Sequence, residues 1–167
     1  MAHDTRAHPA FSAFPTLTSD HVTLRALTLD DVPFVREISF YDGVAATTDE
    51  AAAGMLQRIE ADMARGTSLH WGICLTGSDE VVGTCGFYRG FANDVGEIGY
   101  VLREAYRGRG IATDALRLVV AFGLDAMGLR AVVAYTSPKN QASRAVLARL
   151  GFRPVPMAGS GLAFMFP

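Results

Sequence analysis

The chain has 167 residues, half of them apolar, and a formal net charge of −2 at pH 7. This length favours one domain, with roughly two-thirds of its unfolded surface buried and no need of disulfides. The slight acidity argues against sequence-independent nucleic-acid binding, and no apolar run reaches the roughly 20 residues that span a bilayer. The first residues carry His3, Asp4, Arg6 and His8 where a signal peptide would be apolar. A soluble, cytoplasmic protein is expected.

Residues 1–15, with two prolines and no period, read as a loose N-terminal arm ahead of a domain at 16–167. Residues 22–27 alternate as a strand. Asp30 or Asp31 caps a helix through Val32, Val35 and Ile38, with Pro33 tolerated in its first turn. Thr48 opens a second helix whose stripe is Ala52, Met55, Leu56, Ile59 and Met63, and Gly66 ends it. Segments 69–75 and 81–88 form a hairpin, and a turn at Ala92, Asn93 and Asp94 leads into a strand at 95–102. A helix at 110–127 stops at Gly128, a strand at 131–136 follows, and Asn140 caps a helix running to Leu150. Two short strands, 152–157 and 162–166, finish the chain. The pattern predicts an α/β (α+β) domain with a mixed sheet and helices on both faces.

Cys74 and Cys85 are the only cysteines and lie in apolar strand-like runs, so they read as buried, unreactive thiols. The four histidines have no metal-ligand spacing, and no metal site is expected.

The richest stretch for function runs from Arg107 through Gly108, Arg109, Gly110, Ile111 and Ala112 to Thr113. Its glycines let backbone N–H groups approach a ligand, the helix start adds unpaired donors, and two arginines add charge. Such a turn is an anion cradle suited to phosphate. It is not a P-loop, because Ile111 and Ala112 follow Gly110 where Lys and Ser/Thr are required. Nor is it a dinucleotide fingerprint, because Thr113 replaces the third glycine and Asp125 still lies in the helical pattern.

Arg107, Gly110 and Ala112 match the Arg/Gln-x-x-Gly-x-Gly/Ala loop of the GNAT superfamily of N-acetyltransferases. About thirty residues on, Asn140, Ser143, Val146, Leu147, Leu150, Gly151 and Phe152 form a second motif. This motif resembles the branch that acetylates the N-terminal serine or alanine of ribosomal proteins. Leu17, Thr18, Val22, Thr23, Leu24, Arg25 and Leu27, together with Glu97 to Tyr100, look like that branch too.

The resemblance implies a mostly antiparallel sheet of about seven strands, its central strands splayed to admit acetyl-CoA as cosubstrate. Arg107 to Thr113 would hold the pyrophosphate, and backbone from Tyr100 through Val101 to Leu102 would pair with the pantetheine arm. Asn140 would contact that arm and Ser143 would lie near the sulfur. Arg109 and Arg144 are candidate phosphate contacts, or simply exposed arginines. Many superfamily members place an acidic tyrosine where this chain has Leu147, which leaves Ser143 or water to protonate the thiolate. Asn140 and Ser143 also read as an ordinary N-cap and first-turn residue. Glu97 reads either as the base that takes the amine's proton or as a strand glutamate on a solvated face.

A free α-amine, with a pKa near 8, is roughly a tenth neutral at pH 7, whereas a solvated lysine carries a deficit of about 4 to 5 kcal/mol. One carboxylate therefore suits an α-amine, or another amine of lowered pKa. The acceptor is expected to be a protein N-terminus or a small amine. The resembled branch usually carries a longer polar loop between its last two strands than this chain does, which points away from a ribosomal-protein substrate. The apolar ending reads as a surface for a homodimer. The competing reading is an acyl-CoA-binding sensor with little turnover.

Overall fold

The computed structural model describes residues 13–36 and 38–166. One sheet of eight strands forms the frame, in the order β1-β2-β3-β4-β5-β6-β8-β7. The strands are β1 (Leu17–Thr18), β2 (Val22–Ala26), β3 (Leu69–Leu75), β4 (Val81–Tyr88), β5 (Val95–Leu102), β6 (Ala131–Thr136), β7 (Arg153–Val155) and β8 (Leu162–Phe166). Neighbouring strands are antiparallel except β5 and β6, which run parallel. The two-residue β1 is the strand beyond the seven expected.

Helices cover both faces. On one side lie α1 (Val32–Val35) and α2 (Asp49–Ala64); on the other lie α3 (Ile111–Ala121) and α4 (Gln141–Leu150). Two apolar cores result. Trp71, Phe87, Ile98, Leu116, Val119, Leu147 and Phe164 pack beneath α3 and α4. Val35, Phe40, Met55, Leu56, Ile59, Cys74 and Val81 pack beneath α1 and α2. The predicted α2 stripe is buried at Ala52, Met55, Leu56 and Ile59. Thr48 caps that helix, its Oγ1 accepting from the Ala51 N–H at 3.1 Å.

Two elements differ from the sequence reading. The first helix does not reach Ile38 but ends after Val35, preceded by a 3₁₀ turn at Leu29–Asp31. Asp31 is used elsewhere: its carboxylate accepts two bonds from Arg25, at 2.8 and 2.9 Å, and one from the Thr28 N–H. Ile38 and Phe40 still reach the core, but they do so from a loop that turns through Asp42 and Gly43, both at positive φ. The α3 segment also changes pitch, because a π turn at Phe122–Ala126 follows Ala121. It carries Gly123 against the Phe87 ring, where a Cβ would come within 2.6 Å.

Of the predicted N-terminal arm, residues 1–12 lie outside the described residues. Phe14 meets Trp71 edge-on at 5.8 Å, and the Pro15 carbonyl accepts from Trp71 Nε1 at 2.8 Å. At the other end, β8 is an interior strand with Ala163 and Phe164 buried, and Phe166 packs on Phe152 at 5.5 Å. The apolar ending is thus used within the fold. Both cysteines are buried and unpaired, as expected.

Candidate active site

The parallel pair that centres the sheet is incomplete. β5 and β6 are in register from Val95 opposite Ala131 to Ile98 opposite Ala134, and no further. Beyond that point β6 continues beside β8, while among the described residues Tyr100, Val101 and Leu102 have strand partners on β4 alone, Cys85, Thr84 and Gly83. The other edge of residues 99–102 is therefore open. Unpaired strand backbone in a cleft is costly unless a ligand or water satisfies it.

A groove of about 550 Å³ begins at this split and runs between the starts of α3 and α4. Gly108 and Gly110, at φ +70° and +79°, shape its end. Positive φ is strained for most residues and free for glycine. The first N–H groups of α3 have no carbonyl a turn earlier to bind, so they are left for a ligand. Thr113 Oγ1 is buried there without a partner among the described residues. An orphaned hydroxyl beside free N–H groups at a helix N-terminus fits a polyanion such as pyrophosphate.

Of the residues expected to meet the cosubstrate, Tyr100, Val101, Leu102, Arg107, Gly108, Gly110, Ile111, Ala112, Thr113, Asn140 and Ser143 all line this groove. Arg107 also ties the turn back to β5, its Nε donating to the Leu102 carbonyl at 3.2 Å. Arg109 and Arg144 lie outside the groove wall. Arg109 stacks over Tyr106 and lines a separate cavity with Asp20 and Asp114 among others, and Arg144 donates to the Pro138 carbonyl at 3.4 Å. Ala142, Ala145, Val146 and Arg149 line the groove and were not anticipated. Their spacing along α4 marks one helix face, a signal that the sequence held.

Asn140 caps α4, its Oδ1 accepting from the Ser143 N–H at 3.0 Å. Ser143 also lines a gap of about 150 Å³ in the split itself, with Tyr100, Leu147 and Tyr135. Leu147 is buried in the core. Burial pushes the Tyr100 phenol above its ordinary value, and a side-chain hydrogen bond with Ser143 opposes the rise. Two hydroxyls thus stand together where the sequence reading had one.

Glu97 lies on the other face of the sheet. Its side chain is 19% exposed and ion-paired with Arg89, which also reaches Asp42 at 3.5 Å. Burial raises the Glu97 carboxyl above the usual glutamate value, Arg89 opposes the rise, and Asp42 adds to it. A cavity of about 250 Å³ spreads before it, lined by Asp42, Tyr88, Arg89, Tyr100 and Tyr135 among others. Tyr100 borders all three spaces. Asp42, Arg89 and Tyr135 went unnoticed as site residues, since no motif marks them. Tyr135 is 51% exposed, and both Asp42 and Arg89 stand at positive φ, a backbone state costly for residues other than glycine. Burial raises both thiols, Cys85 the further, so neither is a ready nucleophile.

The family model for the acetyltransferase (GNAT) domain matches residues 21–153. The uncharacterised N-acetyltransferase p20 of Bacillus licheniformis is 30% identical over 146 residues, covering 83% of this chain and 82% of that protein. RimJ of Mycobacterium smegmatis, solved with a CoA disulfide, superimposes with TM-score 0.77 at 23% identity, covering 92% of this chain and 87% of that one. A ribosomal-protein-S5-alanine acetyltransferase from Vibrio fischeri gives 0.74 at 18% identity, covering 91% and 96%. Among the described residues no helix is long and apolar enough to cross a membrane.

Proposed function

Because the chain belongs to the GNAT family of acetyltransferases, we propose that it moves the acetyl group of acetyl-CoA onto a primary amine by direct attack in a ternary complex. The observation that carries this reading is the split after Ile98. It joins a groove ending at a helix N-terminus to a carboxylate-lined cavity on the opposite face.

Acetyl-CoA supplies an acyl group already activated as a thioester. The α3 N-terminus with Arg107 and the Thr113 hydroxyl holds the pyrophosphate, and the open edge of residues 100–102 pairs with the pantetheine amides. A backbone N–H near Val101 polarises the carbonyl. From the other side, Glu97 accepts a proton from the incoming amine, directly or through water. Its raised carboxyl makes it a better base than a solvated glutamate. The Ser143 hydroxyl, or water, gives a proton to the departing sulfur, and Tyr100 is placed to support it by hydrogen bonding. Buried thiols leave no role for a covalent cysteine route.

The experiment is acetyl-CoA titration by calorimetry, combined with thiol release over a panel of small amines and N-terminal peptides. Stoichiometric binding with transfer to at least one amine is expected. Absence of acetyl-CoA binding would overturn the reading.

A further inference from the structure

Beside the cavity at Glu97 lies another of about 230 Å³, and the two share Asp42, Tyr88 and Arg89. Its far wall comes from Tyr41, from Ile59 and Asp62 of α2, and from Ser68 and His70 at the start of β3. The acyl-transfer chemistry uses none of these far-wall residues. His70 is 2% exposed and its Nε2 has no hydrogen-bond partner among the described residues. Burial pushes its pKa down to about 3, so the ring is neutral and repels no cation. His70 borders the cavity, and a buried ring nitrogen without a partner is costly unless something arrives to bond it.

The charges point to what arrives. The walls of the two cavities carry three carboxylates, Asp42, Asp62 and Glu97, against one guanidinium, Arg89, which Glu97 and Asp42 share. Arg65 pairs with Asp62 and Arg58 lies over the Tyr41 ring, but neither lines the cavity. Asp62 Oδ2 accepts from the Tyr41 hydroxyl at 3.0 Å, and a carboxylate has lone pairs left for further donors.

Resting on the acetyl-transfer reading, we propose that this second cavity binds a second, positively charged nitrogen of the acceptor, so that the substrate is a small diamine. The charged nitrogen donates to the Asp62 carboxylate and to His70 Nε2, while the other nitrogen, neutral, faces Glu97. His70 and Gly99 both pair with Gly86, so His70 stands two strand spacings, about 10 Å, from the strand carrying Glu97. A diamine with a long methylene spacer covers that separation.

The test compares 1,7-diaminoheptane with heptylamine, which lacks only the second nitrogen. Wild-type protein should show at least a tenfold preference for the diamine in kcat/KM. Asp62→Asn and His70→Gln should each bring that preference toward parity, acetyl-CoA binding by calorimetry serving as the check that each variant has folded. Diamine binding to the CoA-saturated protein is also measured directly, so the inference has a readout apart from turnover. Equal use of both amines, a preference indifferent to both variants, or no diamine binding overturns the second-nitrogen site. Failure to bind acetyl-CoA overturns instead the reading beneath it.

Discussion

On the α3–α4 side of the split, the groove wall includes a set of small residues that expose backbone: Gly108, Gly110, Ala112, Ala142 and Ala145. On the α1–α2 side, the cavities are walled by side chains that bond one another: Asp42 to Arg89, Arg89 to Glu97, and Tyr41 to Asp62. A backbone-built wall presents fixed N–H dipoles whatever the neighbouring sequence, and it suits a donor with an unvarying pyrophosphate and thioester. A wall of side chains changes with each substitution and suits the partner that varies. The proposed reaction assigns its donor to one face and its acceptor to the other.

This division predicts that the two faces fail differently. Glu97→Gln keeps the shape of the α1–α2 wall and removes the proposed base. Loss of a general base should lower kcat by about a hundredfold, with the calorimetric affinity for acetyl-CoA within about twofold of wild type. A variant that turns over normally removes Glu97 from the chemistry. One that loses acetyl-CoA affinity instead would join the two faces that are separated here.

Gly110→Val is the counterpart on the donor face. Gly110 stands at φ +79° with open space around it, so the side chain meets no clash and the cost is conformational. A β-branched residue there costs about 2 kcal/mol, which either displaces the turn or destabilises it. Acetyl-CoA should bind about thirtyfold more weakly, while the acceptor KM extrapolated to saturating acetyl-CoA changes little. Unchanged acetyl-CoA affinity would mean that the turn does not form the cradle.

The same contrast explains what could be read from the chain. A backbone cradle needs glycines at fixed spacing, so Arg107 to Thr113 and Asn140 to Gly151 announced themselves as motifs. Strand and helix periods likewise gave the sheet and the α2 stripe. The α1–α2 wall left no such mark. Asp42 lies in the loop after a helix that the sequence pattern carries through Ile38 and that ends after Val35. Arg89 and Tyr135 come to the cavity of Glu97 only once β4, β5 and β6 are in register. Tyr100 was visible as a backbone partner for pantetheine, but its hydroxyl beside Ser143 depends on where α4 crosses β5.

That hydroxyl pair supplies a smaller effect on the donor face. Ser143→Ala and Tyr100→Phe should each lower kcat by about tenfold. If the two act as one unit, the double variant should be little worse than either single one, whereas independent roles would multiply toward a hundredfold. Measuring kcat with acetyl-CoA saturating keeps binding losses out of the comparison. Full multiplication would give the two hydroxyls separate roles and sink the paired one.

The smallest effect tests the acceptor face through stability alone, with no substrate present. The His70 ring is held neutral down to about pH 3, against an ordinary value of 6.5. As pH falls through 6.5 the unfolded chain takes up a proton on this imidazole that the folded chain refuses. Stability contributed by the neutral ring is therefore present above pH 6.5 and is lost progressively toward pH 3. Between pH 6.5 and 5.5 this single group should remove about 1 kcal/mol. Urea unfolding at the two pH values should show that loss in the wild type and a correspondingly smaller one in His70→Gln. Donor-face variants such as Thr113→Val carry no titrating group and should keep the wild-type loss. If His70→Gln keeps it too, the imidazole is not the buried neutral group on which the acceptor wall depends.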